Sequence, residues 1–355
     1  MTIRAQIGIA LALAPALAGC APLPAGERLP TYANPVIDSD FPDPAVLSAA
    51  DGFQYVYATQ TERDGKWLNI QLARSRDLIN WQHLGDALPV KPAWASKTQD
   101  FWAPHVSRHG DNYHLYYSAK PDAALADAKL GLCLAVATSR SPQGPFTDIG
   151  RPLHCGESFV NIDPMEFDDP ATGKHLLYWG SGFGPIKVQE LAADLVSFAP
   201  GTRPVDLVPV VKSDDPGDYQ RLVEGAWVVR RGGYYYLFFS GDNCCGPKAH
   251  YAILVARSRL ATGPFELPAD KVVMELNRDW TAPGHNSVAT DASGRDWMLY
   301  HAVDVRRPRS KPSDEVNTRR VMLIDRMEWI SGWPRVAGAS PSTGPRPAPV
   351  FGPTP

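Results

Sequence analysis

The chain has 355 residues, 44% of them hydrophobic and 21% charged, with a formal net charge of −3. That composition suits a large globular domain with an ample core. It lacks the basic field that draws in nucleic acid and the polyacidic tail that seeks a basic partner. Ten Trp and thirteen Tyr offer flat faces that suit sugar rings, and equally suit β-sheet cores.

The first twenty residues read as a signal peptide. Arg4 gives a positive start, and Ile7 to Ala18 is an apolar run shorter than the roughly 20 residues of a membrane span. The run ends in Leu17-Ala18-Gly19-Cys20, which looks like a bacterial lipobox with Cys20 as the lipidated mature N-terminus. The protein is then exported and lipid-anchored to the cell envelope. Residues 21–33 read as a Pro-rich tether, and the Gly/Pro/Ser-rich stretch 338–355 reads as a disordered tail.

Between residues 34 and 337 short strand-like runs dominate, and long helical periodicity is absent. FQYVYAT (53–59), YHLYYSA (113–119), HLLYWGS (175–181), YYYLFFSGD (234–242) and DWMLYHAVD (296–304) are each rich in aromatic and β-branched residues and bounded by turn signals. Each follows another strand by one tight turn. Third strands follow at IQLARSRD (70–77), LCLAVATSRS (132–141) and YAILVARSRL (251–260). The first strands begin at DPAV (Asp43), WAPHV (Trp102), DPMEF (Asp163), EGAWV (Glu224) and HNSV (His285), spaced 59, 61, 61 and 61 residues apart. Strand-and-turn repeats of that period predict one all-β, five-bladed β-propeller over 34–337.

In a propeller the first strand of each blade lines the central channel. Asp43, Asp163 and Glu224 are therefore expected to converge at one end of it, although nothing about stability calls for three carboxylates there. Crowded carboxylates must split their pKa values, and such splitting serves acid–base chemistry.

Four cysteines follow the lipobox. Exported chains form disulfides, and three connectivities are open; Cys133–Cys155 is the favoured pairing, with Cys244–Cys245 as a vicinal pair. No CxxC spacing is present, and no zinc site is expected from the cysteines.

The segments NPVIDSDFPDPAVL (34–47), DFWAPHV (100–106), NIDPMEFDD (161–169), VEGAWVVRRGGYYYLFFS (223–240), GHNSVATD (284–291) and RRVMLIDRMEWISGWPRV (319–336) together resemble glycoside hydrolase family 43, in the right order. The resemblance implies an inverting glycosidase that needs no cofactor. It makes Asp43 the general base, Glu224 the general acid and Asp163 the carboxylate that orients the acid and raises its pKa. Carboxylate separation is then expected near roughly 6.5–9.5 Å, leaving room for a water. EGAW departs from the more common EGP or EAP, which touches subsite shape rather than chemistry. Trp102, in an inward slot without a carboxylate, is expected to stack under the sugar, with a core role the alternative; Phe101 and the inward-facing His285 are further substrate-binding candidates, and the resemblance adds Arg320, with a plain surface role its alternative. The resemblance further suggests a structural calcium in the channel that His285 approaches through waters. The implied substrates are pentosides of plant polysaccharides, above all α-L-arabinofuranosyl linkages of arabinan or arabinoxylan, with β-D-xylosides as the alternative. The chain is expected to be a monomer. Two rivals are weaker: a sialidase, of which SRDLINW (75–81) carries only a partial box, and a non-catalytic sugar-binding propeller, which has no use for three inward carboxylates.

Overall fold

A computed structural model of the chain describes residues 30–311 and 318–351. The proposed signal peptide, Cys20 and most of the tether lie outside the described residues. Five antiparallel sheets follow one another along the chain. Blade 1 holds Ala45–Ser48, Gln54–Ala58, Gln71–Ser75 and Gln82–Asp86. Blade 2 holds Phe101–His109, Asn112–Ala119, Cys133–Ser139 and Thr147–Asp148, with His154–Cys155 pairing with the start of Cys133–Ser139. Blade 3 is Met165–Asp169, Lys174–Trp179, Ile186–Glu190 and Val205–Val208. Blade 4 is Val223–Arg231, Tyr234–Gly241, Ala252–Ser258 and Val272–Met274. Blade 5 is Trp280–Thr290, Asp296–Asp304, Arg320–Ile330 and Trp333–Val336.

The first strands of successive blades pack side by side, and that of blade 5 packs against that of blade 1. The ring is thereby closed, with the first strands innermost. Burial follows the same order. The second strand Gln54–Ala58 is buried at every residue, and Tyr234–Gly241 at all but the first, because neighbouring blades cover both sheet faces. Such doubly covered strands read as continuous apolar runs. The outer strand Gln82–Asp86 is half exposed. The core lies between blades. Tyr55, Tyr57 and Leu72 of blade 1 meet Phe101, Leu115 and Tyr117 of blade 2; Val56 of blade 1 meets Trp297 and Ile324 of blade 5.

A repeated clasp joins the inner segment of four blades to the preceding blade's second strand, at or near its end. One residue per inner segment lies in the left-handed region: Asp43 (φ 59°), Ala103 (46°), Asp163 (58°), Gly225 (65°) and His285 (48°). The N–H of Ala103 donates to Thr59 Oγ1, that of Asp163 to Ser118 Oγ, that of His285 to Ser240 Oγ, and that of Asp43 to His301 Nδ1. The equivalent N–H of Gly225 donates instead to Asp163 Oδ2. The backbone thus aligns 43, 103, 163, 225 and 285, so Trp102 and Glu224 stand one residue earlier than the sequence repeat suggests. Irregular strand pairing after Trp102 and after Glu224 absorbs the offset. Asp43 and Asp163 lie two residues before their strands proper.

Residues 338–351 do not form a free tail. Arg346–Pro347 pairs with Thr31–Tyr32, drawing the end of the expected tether into a small sheet. Asn34 Nδ2 donates to Ser342 Oγ, the Ser342 N–H donates to Asp325 Oδ2, and the Val350 N–H donates to Asp291 Oδ2. Pro and Gly discourage helix and central strand here, but backbone groups satisfied one by one by distant side chains need neither.

Candidate active site

Asp43, Asp163, Glu224, His285 and Arg320 are buried or nearly so, and hydrogen bonds and close charge contacts link them at one end of the channel. Asp43 accepts from Thr59 Oγ1 at 2.5 Å through Oδ2. Its Oδ1 lies 3.1 Å from Arg320 Nη1, 3.2 Å from His301 Nδ1 and 3.4 Å from His285 Nδ1. Arg320 is itself fixed by its N–H, which donates to the half-buried Asp40. Burial pushes the Asp43 carboxyl up, but the Arg320 and His285 charges and His301 outweigh it and hold the group well below the usual carboxylate range.

Glu224 has the opposite setting. Its Oε1 accepts from Tyr251 Oη at 2.7 Å and its Oε2 from Ser181 Oγ at 2.8 Å. Burial raises its pKa to about 7; the two hydrogen bonds oppose the rise and the Asp43 charge adds to it. Asp163 is raised well above its ordinary value, by burial and then by the charges of Glu224 and Asp43. Burial is thus the main lift on both carboxyls. Asp163 grips the peptide next to Glu224, accepting from the Gly225 N–H at 2.9 Å.

Two glycines make this packing feasible. At Gly225 the backbone is left-handed, and a Cβ would lie 3.3 Å from His285 Nδ1. At Gly284 a Cβ would fall 1.9 Å from Tyr251 Cδ1, so only glycine lets the Tyr251 ring lie there and reach Glu224.

The remaining candidates divide. Trp102 keeps a partly exposed surface. Phe101 does not belong to the site: it is fully buried and stacks on Tyr117 with ring centroids 6.0 Å apart. Neighbouring strand residues point to opposite sides, so the two aromatics could not both face the channel. His285 faces Asp43 and also lies 3.8 Å from Asp163. Disulfides join Cys133 to Cys155 across paired strands of blade 2, and Cys244 to Cys245 in the loop between the second and third strands of blade 4. Sequence reasoning missed Thr59, Ser181, His301 and Tyr251. Thr59 and Ser181 just follow second strands and His301 lies within one, all at the repeat spacing, which is the signal that could have found them. Asn286, beside His285, is buried with neither amide atom partnered among the described residues.

The sequence profile of the family described as "Glycosyl hydrolases family 43" matches residues 32–334. The extracellular exo-α-(1→5)-L-arabinofuranosidase ArbA of Cellvibrio japonicus is 26% identical over 329 residues, covering 84% of this chain and 86% of the relative. The β-D-galactofuranosidase xynD of Aspergillus niger is 28% identical over 316 residues, covering 83% and 81%. Among solved structures, a thermostable family-43 glycoside hydrolase superposes with a TM-score of 0.73 at 27% identity, covering 90% of this chain and all of that one. Since the family profile runs through all five blades and spans every residue of the carboxylate cluster, this chain belongs to glycosyl hydrolases family 43.

Proposed function

We propose that this glycoside hydrolase cleaves α-L-arabinofuranosyl linkages of arabinan or arabinoxylan by single displacement with inversion. The observation that carries the chemistry is the opposed setting of two carboxyls in one buried site, Asp43 held low and Glu224 raised to about 7. Glu224 gives its proton to the departing glycosidic oxygen. Asp43, ionised, takes a proton from the water that attacks the anomeric carbon from the opposite face. Asp163 orients the acid through the Gly225 N–H, and Trp102 and Arg320 border the sugar. The substrate class is supported by the relative named an exo-α-(1→5)-L-arabinofuranosidase.

The test is leaving-group dependence. Glu224→Gln should lose about 10²–10⁴-fold on natural oligosaccharides yet keep much of its activity on an aryl glycoside, whose phenol leaves unprotonated. Asp43→Asn should fail on both. Rapid NMR should find the first sugar released with inverted configuration; retention, or rescue of Asp43→Asn alone, overturns the assignment. Product analysis on linear arabinan beside xylo-oligosaccharides separates arabinosidase from xylosidase.

Export with lipidation at Cys20 is part of the proposal, supported by the LAGC motif and by a relative described as extracellular. Cys20→Ser should move the protein to the soluble fraction. A channel calcium would suit the unpartnered Asn286 Oδ1, a hard oxygen, while His285 would act only through water, because calcium takes oxygen ligands. Such an ion would add positive charge near the carboxylates.

A further inference from the structure

Blades 2 and 3 bring four metal-ligating side chains together away from the carboxylate site. His109 ends the inner strand of blade 2. Glu166 and Asp168 alternate on the inner strand of blade 3, and His175 is the cross-strand partner of Asp168. Asp168 lies five residues beyond Asp163, about 16 Å along an extended strand. The cluster therefore sits toward the opposite end of the inner strands.

We propose that His109, Glu166, Asp168 and His175 bind one divalent transition-metal ion of the zinc class, tying blade 2 to blade 3. One ligand atom from each residue lies within 4.8 Å of the others. His109 Nε2 is 3.4 Å from Glu166 Oε2, His109 Nδ1 is 3.6 Å from Asp168 Oδ2, and His175 Nδ1 contacts Asp168 Oδ1. The independent observation is Glu166. Its side chain is 3% exposed, and its Oε1 is buried with no hydrogen-bond partner among the described residues, 4.0 Å from His175 Nδ1. A protonated His109 would answer Oε2 but leave Oε1 unmet, and an unpaired buried oxygen of a charged group is costly. A cation between the four groups meets it and neutralises two carboxylates with two neutral imidazoles.

The donor set selects the metal class. Two imidazoles with two carboxylates suit zinc and its neighbours, whereas calcium and magnesium take oxygens. Tetrahedral zinc, with bonds of about 2.0–2.2 Å, sets ligand atoms about 3.4 Å apart, so the cluster must contract. Glu166 and His109 form its enclosed side, while Asp168 (57% exposed) and His175 (31%) stand at the rim, where a shift inward meets little resistance.

The test titrates zinc chloride into tag-free, chelator-treated protein by calorimetry, with cobalt absorption as a report on geometry. One zinc per chain is expected, with a higher Tm and a visible tetrahedral cobalt band. His175→Ala, at the rim, and Glu166→Gln, which keeps the shape, should each weaken binding by more than about 100-fold, since even residues that only support ligands are worth 10–100-fold. Hydrolysis by His175→Ala should match the parent, which shows that the variant is folded. Absence of stoichiometric zinc in the parent, or undiminished binding in both variants, overturns the proposal.

Discussion

Ser181 Oγ donates to Glu224 Oε2 at 2.8 Å from the position where Thr59, Ser118 and Ser240 accept an N–H from the next blade. In blade 3 the clasp is opened: Asp163 takes over the Gly225 N–H, and the freed hydroxyl turns to the carboxyl. A structural contact repeated around the ring has become a control on one proton. The Ser181 hydrogen bond stabilises the charged form of Glu224, as does the one from Tyr251.

Ser181→Ala should therefore raise the Glu224 pKa above its value of about 7. If Glu224 must be protonated, activity falls as pH rises through that pKa, so the alkaline limb of kcat/KM should move to higher pH. Tyr251→Phe should move it the same way, with kcat lower on the order of tenfold from loss of a hydrogen bond to a charged group. A limb that stays in place or moves down would count against Glu224 as the acid.

Arg320 controls the other limb. After burial, its charge is the largest influence on Asp43 and it acts downward. Arg320→Met keeps the backbone N–H that Asp40 accepts but removes the guanidinium 3.1 Å from Asp43 Oδ1. The Asp43 pKa should rise, and the base will be protonated at pH values where the parent is active. The acidic limb should shift toward neutrality while the alkaline limb moves less. An unchanged acidic limb in the pH profile contradicts the assignment of Asp43 as the base.

Gly284→Ala should be severe for a single methyl group. Its Cβ would lie 1.9 Å from one Tyr251 ring atom and 2.3 Å from another. The ring is fully buried and has no easy retreat. Overpacking of this kind costs about 1–3 kcal/mol, and moving Tyr251 also strips Glu224 of a donor. Thermal unfolding should show a lower Tm together with reduced kcat; a variant with parental Tm and activity would show that the ring has another place to go.

The five blades were legible because each inner strand opens with a short motif at nearly constant spacing, and the three carboxylates followed from their shared place in that repeat. What stayed hidden has a common cause. Thr59, Ser181 and His301 look like ordinary residues in or just after a strand until the ring places each beside the next blade. Tyr251 reads as core because its hydroxyl partner belongs to another strand. His109 meets carboxylates of the next blade, and His175 meets Asp168 only across a hairpin, so neither stands beside its companions in the sequence. Phe101 and Trp102 are neighbours in sequence, yet strand alternation sends them to opposite sides. Low-complexity composition misled the reading of residues 338–351, since their partners lie elsewhere in the chain.

That last segment can be tested by truncation. Blade 5 is built wholly from residues 280–336, so the ring does not close by sharing a blade between the chain ends. The ends instead meet on its surface. Val36 N–H donates to Met322 O, Tyr32 Oη to Ile324 O, and Asn34 Nδ2 to both Ile324 O and Ser342 Oγ. Asp325 is the hub: it is buried, and it accepts from Tyr300 Oη at 2.6 Å and from the Ser342 N–H at 3.1 Å. Stopping the chain after residue 337 removes the Ser342 donor, the pairing with Thr31–Tyr32 and the buried Ala348. Hydrogen bonds to a charged group are each worth about 1.5–3 kcal/mol, so Tm should fall on the order of 5 °C or more. Ser342→Ala, which keeps the N–H that donates to Asp325 and loses the hydroxyl that accepts from Asn34, should cost about 1 kcal/mol. Because the segment lies against blade 5 rather than against Asp43 or Glu224, the truncated enzyme should keep its kcat below its melting range. A truncated chain that melts with the parent would mean that residues 338–351 are an appendage after all.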